Sequence, residues 1–316
     1  MNDEKYIFSL ARSAQMRALG YPSGKAICPQ CGRRTFVYFV DGSGNLIDER
    51  CGRCDRENHC SYMLTPKEAG IICSQFQKPV QVIIRKPFKI PLKYVMRSAK
   101  HLEGSTFVRW LRSLPWSPMQ RENIDNVLIA YHVGRAKDGS TIFWQIDGEY
   151  NVRSGKIMRY MDDGHRDKKH FGTWVHSRLV KDGVLDDKTG EYVGCMFGEH
   201  LCKKFRKVLV VESEKSAILC AVYYGLRDIA FVATGGKGNF NKMKLFPLME
   251  HGKTIFYCPD ADAVSDWDIK AMEMKKYYNQ IYKLDYYMTG YSPGIDPDNY
   301  DIGDYIVNKL CQKKNN

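Results

Sequence analysis

The sequence lacks any apolar run of the roughly 20 residues needed to cross a lipid bilayer. It also lacks the start of a secretion signal, because Asp3 and Glu4 stand where a basic and then apolar segment would be needed. We therefore expect a cytoplasmic protein without a membrane partner. Acidic residues are few, with 36 Asp and Glu against 48 Lys and Arg, and the net charge is +12. The positive net charge favours a polyanionic partner, although charge alone does not distinguish DNA from RNA.

The composition also excludes general disorder, because hydrophobic residues make up 44% of the 316 residues. A chain of this length is expected to hold two or three folded units. Met1 to Gly20 is predicted to form a short helix, and the proline-rich and cationic segment from Lys78 to Pro91 predicts a boundary. We predict a zinc ribbon over residues 1–74, a basic α+β subdomain over 75–204 and a parallel α/β domain over 205–316.

Cysteine occurs eleven times, and four of these residues form two Cys-x-x-Cys pairs. The four are Cys28, Cys31, Cys51 and Cys54. Without a secretion signal such pairs favour metal over disulfides, and the nineteen residues between them, with a predicted hairpin, suit a closed tetrahedral Zn²⁺ site. A redox role is the competing interpretation for any single pair. His59 and Cys60 are alternative ligands or packing residues, and we assign them to packing because four thiolates already fill the site.

The predicted ribbon is basic and aromatic. It contains Arg33, Arg34, Arg50, Arg53 and Arg56 around the cysteine pairs. Phe36, Tyr38 and Phe39 are candidates for exposed rings beside them. Such a charge run is usually a solvated face, and with exposed rings it could also bind single-stranded nucleic acid.

The last third of the chain repeats a short apolar strand followed by a helix. Strands are predicted at 208–211, 229–234, 253–258 and 281–287, and helices at 213–226, 239–250, 267–278 and 302–310. This alternation predicts right-handed βαβ crossovers and a parallel sheet. Ligands bind at the carboxyl ends of such strands, where Glu212, Asp260 and Asp262 are expected to lie.

Three carboxylates at one sheet edge would repel each other unless cations lay among them. Oxygen ligands in an Asp-x-Asp spacing suit a hard ion such as Mg²⁺ or Mn²⁺, which serves phosphoryl transfer. For Asp260 and Asp262 alone, the alternative is a polar turn after a strand. Glu212 at the end of another strand favours the metal site.

These residues resemble the Toprim domain shared by primases, topoisomerases and some nucleases. The resemblance rests on Val-Val-Glu212 before a polar turn and a helix, and on Pro-Asp260-Ala-Asp262. It implies that Glu212 is the catalytic acid or base and that Asp260 and Asp262 bind metal. The chain departs from the family pattern after the Asp pair, where Asp266 and Asp268 become possible extra ligands.

Asp301 and Asp304 open the last predicted helix. They resemble the polar pair that often follows the last Toprim strand, or they are simple charges at a helix N-terminus. The Gly235-Gly-x-Gly238 segment could hold a phosphate, although a tight turn is the simpler interpretation.

Residues 131–161 predict a small antiparallel sheet in the middle of the chain. Basic residues cluster in the second half of this segment and after it: Lys156, Arg159, Arg166, Lys168, Lys169 and Arg178. Among them stand Tyr160, Phe171 and Trp174, and cations interleaved with rings suit single-stranded DNA. The alternative is a solvated face with the rings in the core. We assign five residues to the binding of nucleotide and template, namely Lys156, Arg159, Lys168, Lys169 and Lys215.

The order of zinc ribbon, basic α+β segment and Toprim domain resembles the catalytic half of bacterial replicative primases, and more closely the zinc-plus-Toprim proteins of mobile genetic elements. The resemblance implies synthesis of RNA primers on single-stranded DNA from nucleoside triphosphates. No helicase-binding domain follows residue 316, so a helicase partner is doubtful. Alternatives are a recombination mediator with a non-catalytic Toprim clamp and a Toprim nuclease, whereas a topoisomerase would need a gate domain.

Overall fold

The structure is a computed structural model that describes residues 8–57, 59–71, 85–170, 172–285, 290–291 and 300–312. The chain divides into two compact units, residues 1–83 and 84–316. The predicted boundary after residue 204 falls inside the second unit, where one hydrophobic core runs from Phe107 to Leu310. The division into three domains stays a prediction. Within the described ranges, no helix is long and apolar enough to span a membrane.

An antiparallel sheet organises the first unit. Its strands, in spatial order, are β1 (Phe8–Leu10), β2 (Phe36–Asp41), β3 (Gly52–Cys54) and β4 (Met63–Leu64), and helix α1 (Ser13–Ala18) follows β1. The predicted N-terminal helix is wrong over β1, because Phe8 and Leu10 follow the two-residue period of a strand and pair with β2. Residues 1–7 of that prediction lie outside the described residues.

The three rings predicted to be exposed on the ribbon are core residues. Phe36, Tyr38 and Phe39 are 0%, 7% and 5% exposed. Phe8 packs edge-on against Phe39, while Phe36 contacts Tyr38 and Tyr62. Both faces of β2 are therefore covered, and these rings are not a stacking surface for bases.

The second unit opens with helices and a second antiparallel sheet. The helices are α2 (Leu92–Ser98), α3 (Thr106–Ser113), α4 (Pro118–Ala130) and α5 (Val175–Lys181). A short parallel pair joins β5 (Lys86–Pro87) to β10 (Gly190–Glu191). The predicted antiparallel sheet is confirmed, with the order β6 (Gly134–Arg135), β7 (Thr141–Ile146), β8 (Val152–Met158) and β9 (Thr173–Trp174).

A four-stranded parallel sheet forms the rest of the unit. Its strands are β11 (Lys207–Val211), β12 (Ile229–Ala233), β13 (Thr254–Cys258) and β14 (Ile281–Lys283), in the spatial order β12, β11, β13, β14. The helices are α6 (Glu214–Tyr224), α7 (Lys242–Glu250), α8 (Val264–Lys275) and α9 (Ile302–Gln312). Helix α8 begins three residues earlier than predicted. Residues 286 and 287, the predicted end of the last strand, are not described.

The register of the parallel sheet brings the ends of the central strands together. Val211 pairs with Ala233 on one side and with Cys258 on the other. The residues that follow β11 and β13 therefore share one edge. Helix α9 approaches α6 closely because Gly303 has no side chain, and a Cβ atom there would lie 3.0 Å from the Ser216 hydroxyl.

Candidate zinc centre and acidic site

Four cysteine sulfurs converge in the first unit. All ligand atoms of Cys28, Cys31, Cys54 and Cys60 lie within 4.8 Å of one another. The Sγ atoms of Cys28 and Cys60 are 3.7 Å apart, and those of Cys31 and Cys54 are 3.9 Å apart. A tetrahedral ion with Zn–S bonds of about 2.3 Å separates its sulfurs by about 3.8 Å. The four thiols thus fit Zn²⁺.

The prediction that Cys51 is the fourth ligand is wrong, and Cys60 takes that place. Cys51 is engaged in the sheet, where its carbonyl accepts the N–H of Phe39 at 2.9 Å. The N–H of Cys54 donates to the carbonyl of Tyr62 at 2.9 Å and folds the chain back. Gln30 then holds the Cys60 carbonyl at 2.9 Å. Cys60 was visible in the sequence, but its five-residue spacing from Cys54 does not match the usual knuckle.

Glu212 follows β11 directly and is half-buried. Its Oε2 atom is buried and has no hydrogen-bond partner in the described structure. Burial, together with the nearby charge of Asp262, raises the pKa of Glu212, and the backbone N–H of Lys237 acts in the opposite direction. A buried carboxylate oxygen without a partner is suited to accept a cation.

Asp260 lies at the centre of a group of carboxylates. Burial raises its pKa to about 8, with further contributions from Asp301, Glu212, Asp262 and Asp304 in decreasing order. Acids from β11, β13 and the start of α9 therefore share one edge of the sheet. Without a metal, a proton on Asp260 relieves their repulsion, and a cation can take the place of that proton.

Asp301 and Asp304 act both as caps of α9 and as neighbours of Asp260. The N–H of Asp304 donates to Asp301 Oδ1 at 2.8 Å, and the N–H of Asp301 donates to Asp304 Oδ2 at 3.3 Å. The Ser216 hydroxyl donates to Asp301 Oδ2 at 2.6 Å. The N–H of Ala261 donates to the carbonyl of Tyr300 at 3.0 Å, which ties the Asp260 loop to this helix start.

Asp266 and Asp268, considered as extra ligands, are engaged by lysines. Lys270 Nζ lies 2.7 Å from Asp266 Oδ2, and Lys283 Nζ lies 2.8 Å from Asp268 Oδ2. Neither acid is among those that raise the pKa of Asp260. The structure thus offers no support for them as metal ligands.

The chemistry of the acidic group fits Mg²⁺ or Mn²⁺, since every donor is a carboxylate oxygen. Among the described residues, only the cysteine group has three or more metal-binding side chains with all ligand atoms within 4.8 Å. The carboxylate oxygens therefore lie farther apart than the ligands of a bound ion do, because like charges repel each other. A divalent ion would draw them together.

Lys156, predicted to contact substrate, bridges two parts of the second unit. Its ammonium donates to Glu214 Oε2 at 3.1 Å and to the Gly235 carbonyl at 3.0 Å. The two charged side chains are 19% and 4% exposed. Lys156 thus joins β8 to α6, and contact with a nucleotide stays a prediction.

The other predicted binding lysines and arginine differ in exposure. Lys168 and Lys169 are exposed in the segment before β9. Arg159 Nε lies 3.7 Å from Asp167 Oδ2. Lys215 is half-buried, with its ammonium 3.8 Å from Asp304 and 5.6 Å from the ring centre of Trp110.

Of the three rings predicted to stack on bases, Tyr160, Phe171 and Trp174, the two that the structure describes differ in exposure. Tyr160 is buried against Phe107, so its ring is not available to a base. Trp174 is half-buried, with its ring centre 5.4 Å from that of Tyr192. Phe171 lies outside the described residues.

Two family models match the chain. Residues 105–261 match one described as "Domain of unknown function (DUF6371)", and residues 18–73 match a zinc beta-ribbon finger. No curated protein matches the chain significantly. The second model and the sulfur geometry agree that the first unit is a zinc ribbon.

Several solved structures are similar to the chain at low identity. The primase fragment of the bacteriophage T7 primase-helicase protein has 14% identity and a TM-score of 0.40, covering 60% of this chain and 68% of its own. The DnaG catalytic core has 14% identity and a TM-score of 0.45, covering 69% and 74%. The RNA polymerase domain of Mycobacterium tuberculosis primase DnaG has 14% identity and a TM-score of 0.34, covering 61% and 64%.

Proposed function

We propose that the chain is a primase-like nucleotidyltransferase that makes short RNA primers on single-stranded DNA with a Toprim-type metal site. The observation that carries the proposal is the group of four other carboxylates around Asp260 at one sheet edge. Burial first, and then the charges of these four, raise the pKa of Asp260 to about 8. Maintaining such repulsion costs stability, and active sites are where strongly perturbed carboxylates concentrate. The Toprim-like sequence around Glu212 and Asp260 supports the same function.

The residues that would hold Mg²⁺ or Mn²⁺ are Glu212, Asp260 and Asp262, with Asp301 as a neighbouring acid. Such ions would neutralise the charge of a nucleoside triphosphate and activate an attacking hydroxyl. The raised pKa of Glu212 suits a residue that takes up a proton during the reaction. Asp301, fixed by Ser216 and by the cap of α9, would orient the Asp260 side of the site.

Exposed cations support DNA as the partner. Lys168, Lys169 and Arg178 are exposed on the antiparallel-sheet segment, and Trp174 offers a partly accessible ring. Cations of this kind bind backbone phosphates without sequence preference. The zinc ribbon would add a second template contact, and the order of the units suggests replication of a mobile genetic element.

A direct test is to incubate the zinc-loaded protein with single-stranded DNA, labelled ribonucleoside triphosphates and Mg²⁺ or Mn²⁺. Lengthened, template-dependent products are expected. Shortened DNA without lengthened products would identify a nuclease that uses the same acids. DNA binding with neither product would favour the non-catalytic clamp.

A further inference from the structure

The loop between β12 and α7 places one lysine against two of the proposed metal-binding acids. The backbone N–H and the charge of Lys237 both act to lower the pKa of Glu212. The ammonium of the same residue donates to the main-chain oxygen of Asp262 and lies 3.2 Å from Asp262 Oδ2. A single residue therefore contacts Asp262, which follows β13, and acts electrostatically on Glu212, which follows the neighbouring strand β11.

The backbone of this loop is held from several sides. The indole of Trp267, which is fully buried, donates to the Lys237 carbonyl at 3.1 Å. Gly235 adopts a φ of +80°, and a Cβ atom there would lie 3.1 Å from Glu214 Oε1. Lys156 fixes the Gly235 carbonyl at 3.0 Å. Because these contacts fix the backbone at Lys237, pairing with Asp262 costs less conformational entropy than it would for a lysine on a mobile surface segment.

The contact of Lys237 with Asp262 adds a positive charge to a group of acidic side chains. The site holds five carboxylates, and the charges of Lys237 and Lys156 both act to lower the pKa of Glu212. Lys156 is committed to Glu214, where both side chains are mostly buried. Lys237 and Asp262 are 38% and 46% exposed, so their pair can open without unfolding the loop.

We propose that Lys237 is a tethered counter-cation of the acidic site, which a divalent ion must displace from Asp262 in order to bind. The inference rests on the proposed metal site and assigns a residue that tunes its affinity. An ammonium beside Asp262 competes with the metal for the carboxylate and repels it as a like charge. Removal of that charge should therefore tighten divalent-ion binding by about threefold to tenfold, because water screens an exposed pair almost as strongly as in bulk solvent.

The test measures Mn²⁺ binding to zinc-loaded protein by electron paramagnetic resonance of the free ion, without substrate or turnover. Lys237→Met and Lys237→Gln both remove the charge, so a folding defect in one leaves the other informative. Lys237→Arg keeps the charge. Lys270→Met is the matched control, because it removes an ammonium of similar exposure that pairs with Asp266.

Tighter Mn²⁺ binding in both neutral variants, with wild-type affinity in Lys237→Arg and Lys270→Met, is the expected result. The melting temperature should agree: without metal the neutral variants lose stability, so Mn²⁺ should raise their melting temperature by more than that of the wild type. Unchanged or weaker Mn²⁺ binding in the neutral variants would overturn the counter-cation role and leave the metal site standing. If the wild type itself binds no Mn²⁺, both this inference and the proposed metal site are wrong.

Discussion

Cys28 Sγ and Cys60 Sγ lie 3.7 Å apart, although the two residues are 32 positions apart in the chain. This is the spacing of two ligands of one tetrahedral zinc ion. The contact closes the ribbon from its first knuckle to the turn after β3. Cys51 sits in the same unit, fully buried, without joining the sulfur group.

Cys60→Ser should therefore lower zinc affinity by at least about 100-fold and loosen the first unit, because a structural zinc site contributes directly to folding. Cys51→Ser should retain one zinc per chain. Elemental analysis after dialysis against a mild chelator measures both. Retention of zinc by the Cys60 variant and its loss from the Cys51 variant would restore the assignment made from spacing alone.

Lys156→Met should destabilise the second unit by about 3 kcal/mol, because it leaves the buried Glu214 carboxylate without its ionic partner. Adding Glu214→Gln should recover part of the loss. Urea denaturation measures the free energy of unfolding, and Lys168→Met, at an exposed position, should change it by less than about 0.5 kcal/mol. Equal stability of Lys156→Met and Lys168→Met would show that the bridge is unimportant.

The sequence predicts the parallel sheet well because its signals are local. Strand β11 contains the apolar run from Val208 to Val211, Glu212 follows it directly, and Ser213 caps the next helix. Ser117, Pro118 and Gln120 are a local start signal of the same kind, and they form the capping box and the first turn of α4. The hydrophobic period of a strand or helix and the residues that cap a helix depend only on a few neighbouring positions in the sequence.

The errors concern contacts between distant residues. Cys60 becomes a ligand only because Tyr62 pairs with Cys54 across the sheet. Tyr160 follows β8 and is buried because Phe107 of α3 packs against it. No local sequence pattern predicts this contact between distant residues. The place of Asp301 beside Asp260 likewise depends on the docking of α9 on α6.

Stability should also depend on pH through Glu199, which is buried and accepts the N–H groups of Met196 and Gly148. Burial raises its pKa from 4.5 to about 7. The folded state thus keeps a proton that the unfolded state loses, so this residue lowers the free energy of unfolding as the pH rises from about 4.5 to about 7. Urea titrations should show Glu199→Gln gaining stability relative to the wild type between pH 5 and pH 7.5. A difference that is constant with pH would refute this assignment.

Replacing Lys168 and Lys169 with Glu should weaken binding to single-stranded DNA and reduce its salt dependence. Each lost phosphate contact should lower the slope of log affinity against log salt by about 0.7. Fluorescence anisotropy at several salt concentrations measures this slope. The control is the double replacement of Lys275 and Lys276 by Glu, an adjacent exposed pair at the end of α8. An equal effect of both double variants would indicate general charge attraction and no local binding surface.

The acids around Asp260 are proposed to catalyse nucleotide transfer, and the rate of primer synthesis by Asp260→Asn tests this role most directly. The rate should fall by about 100-fold or more, because the variant loses a carboxylate at the point where transition-state charge is stabilised. Asp228→Asn, an exposed change immediately before β12 and at the opposite edge of the sheet, should keep the wild-type rate. Primer synthesis by Asp260→Asn at the wild-type rate would contradict the account.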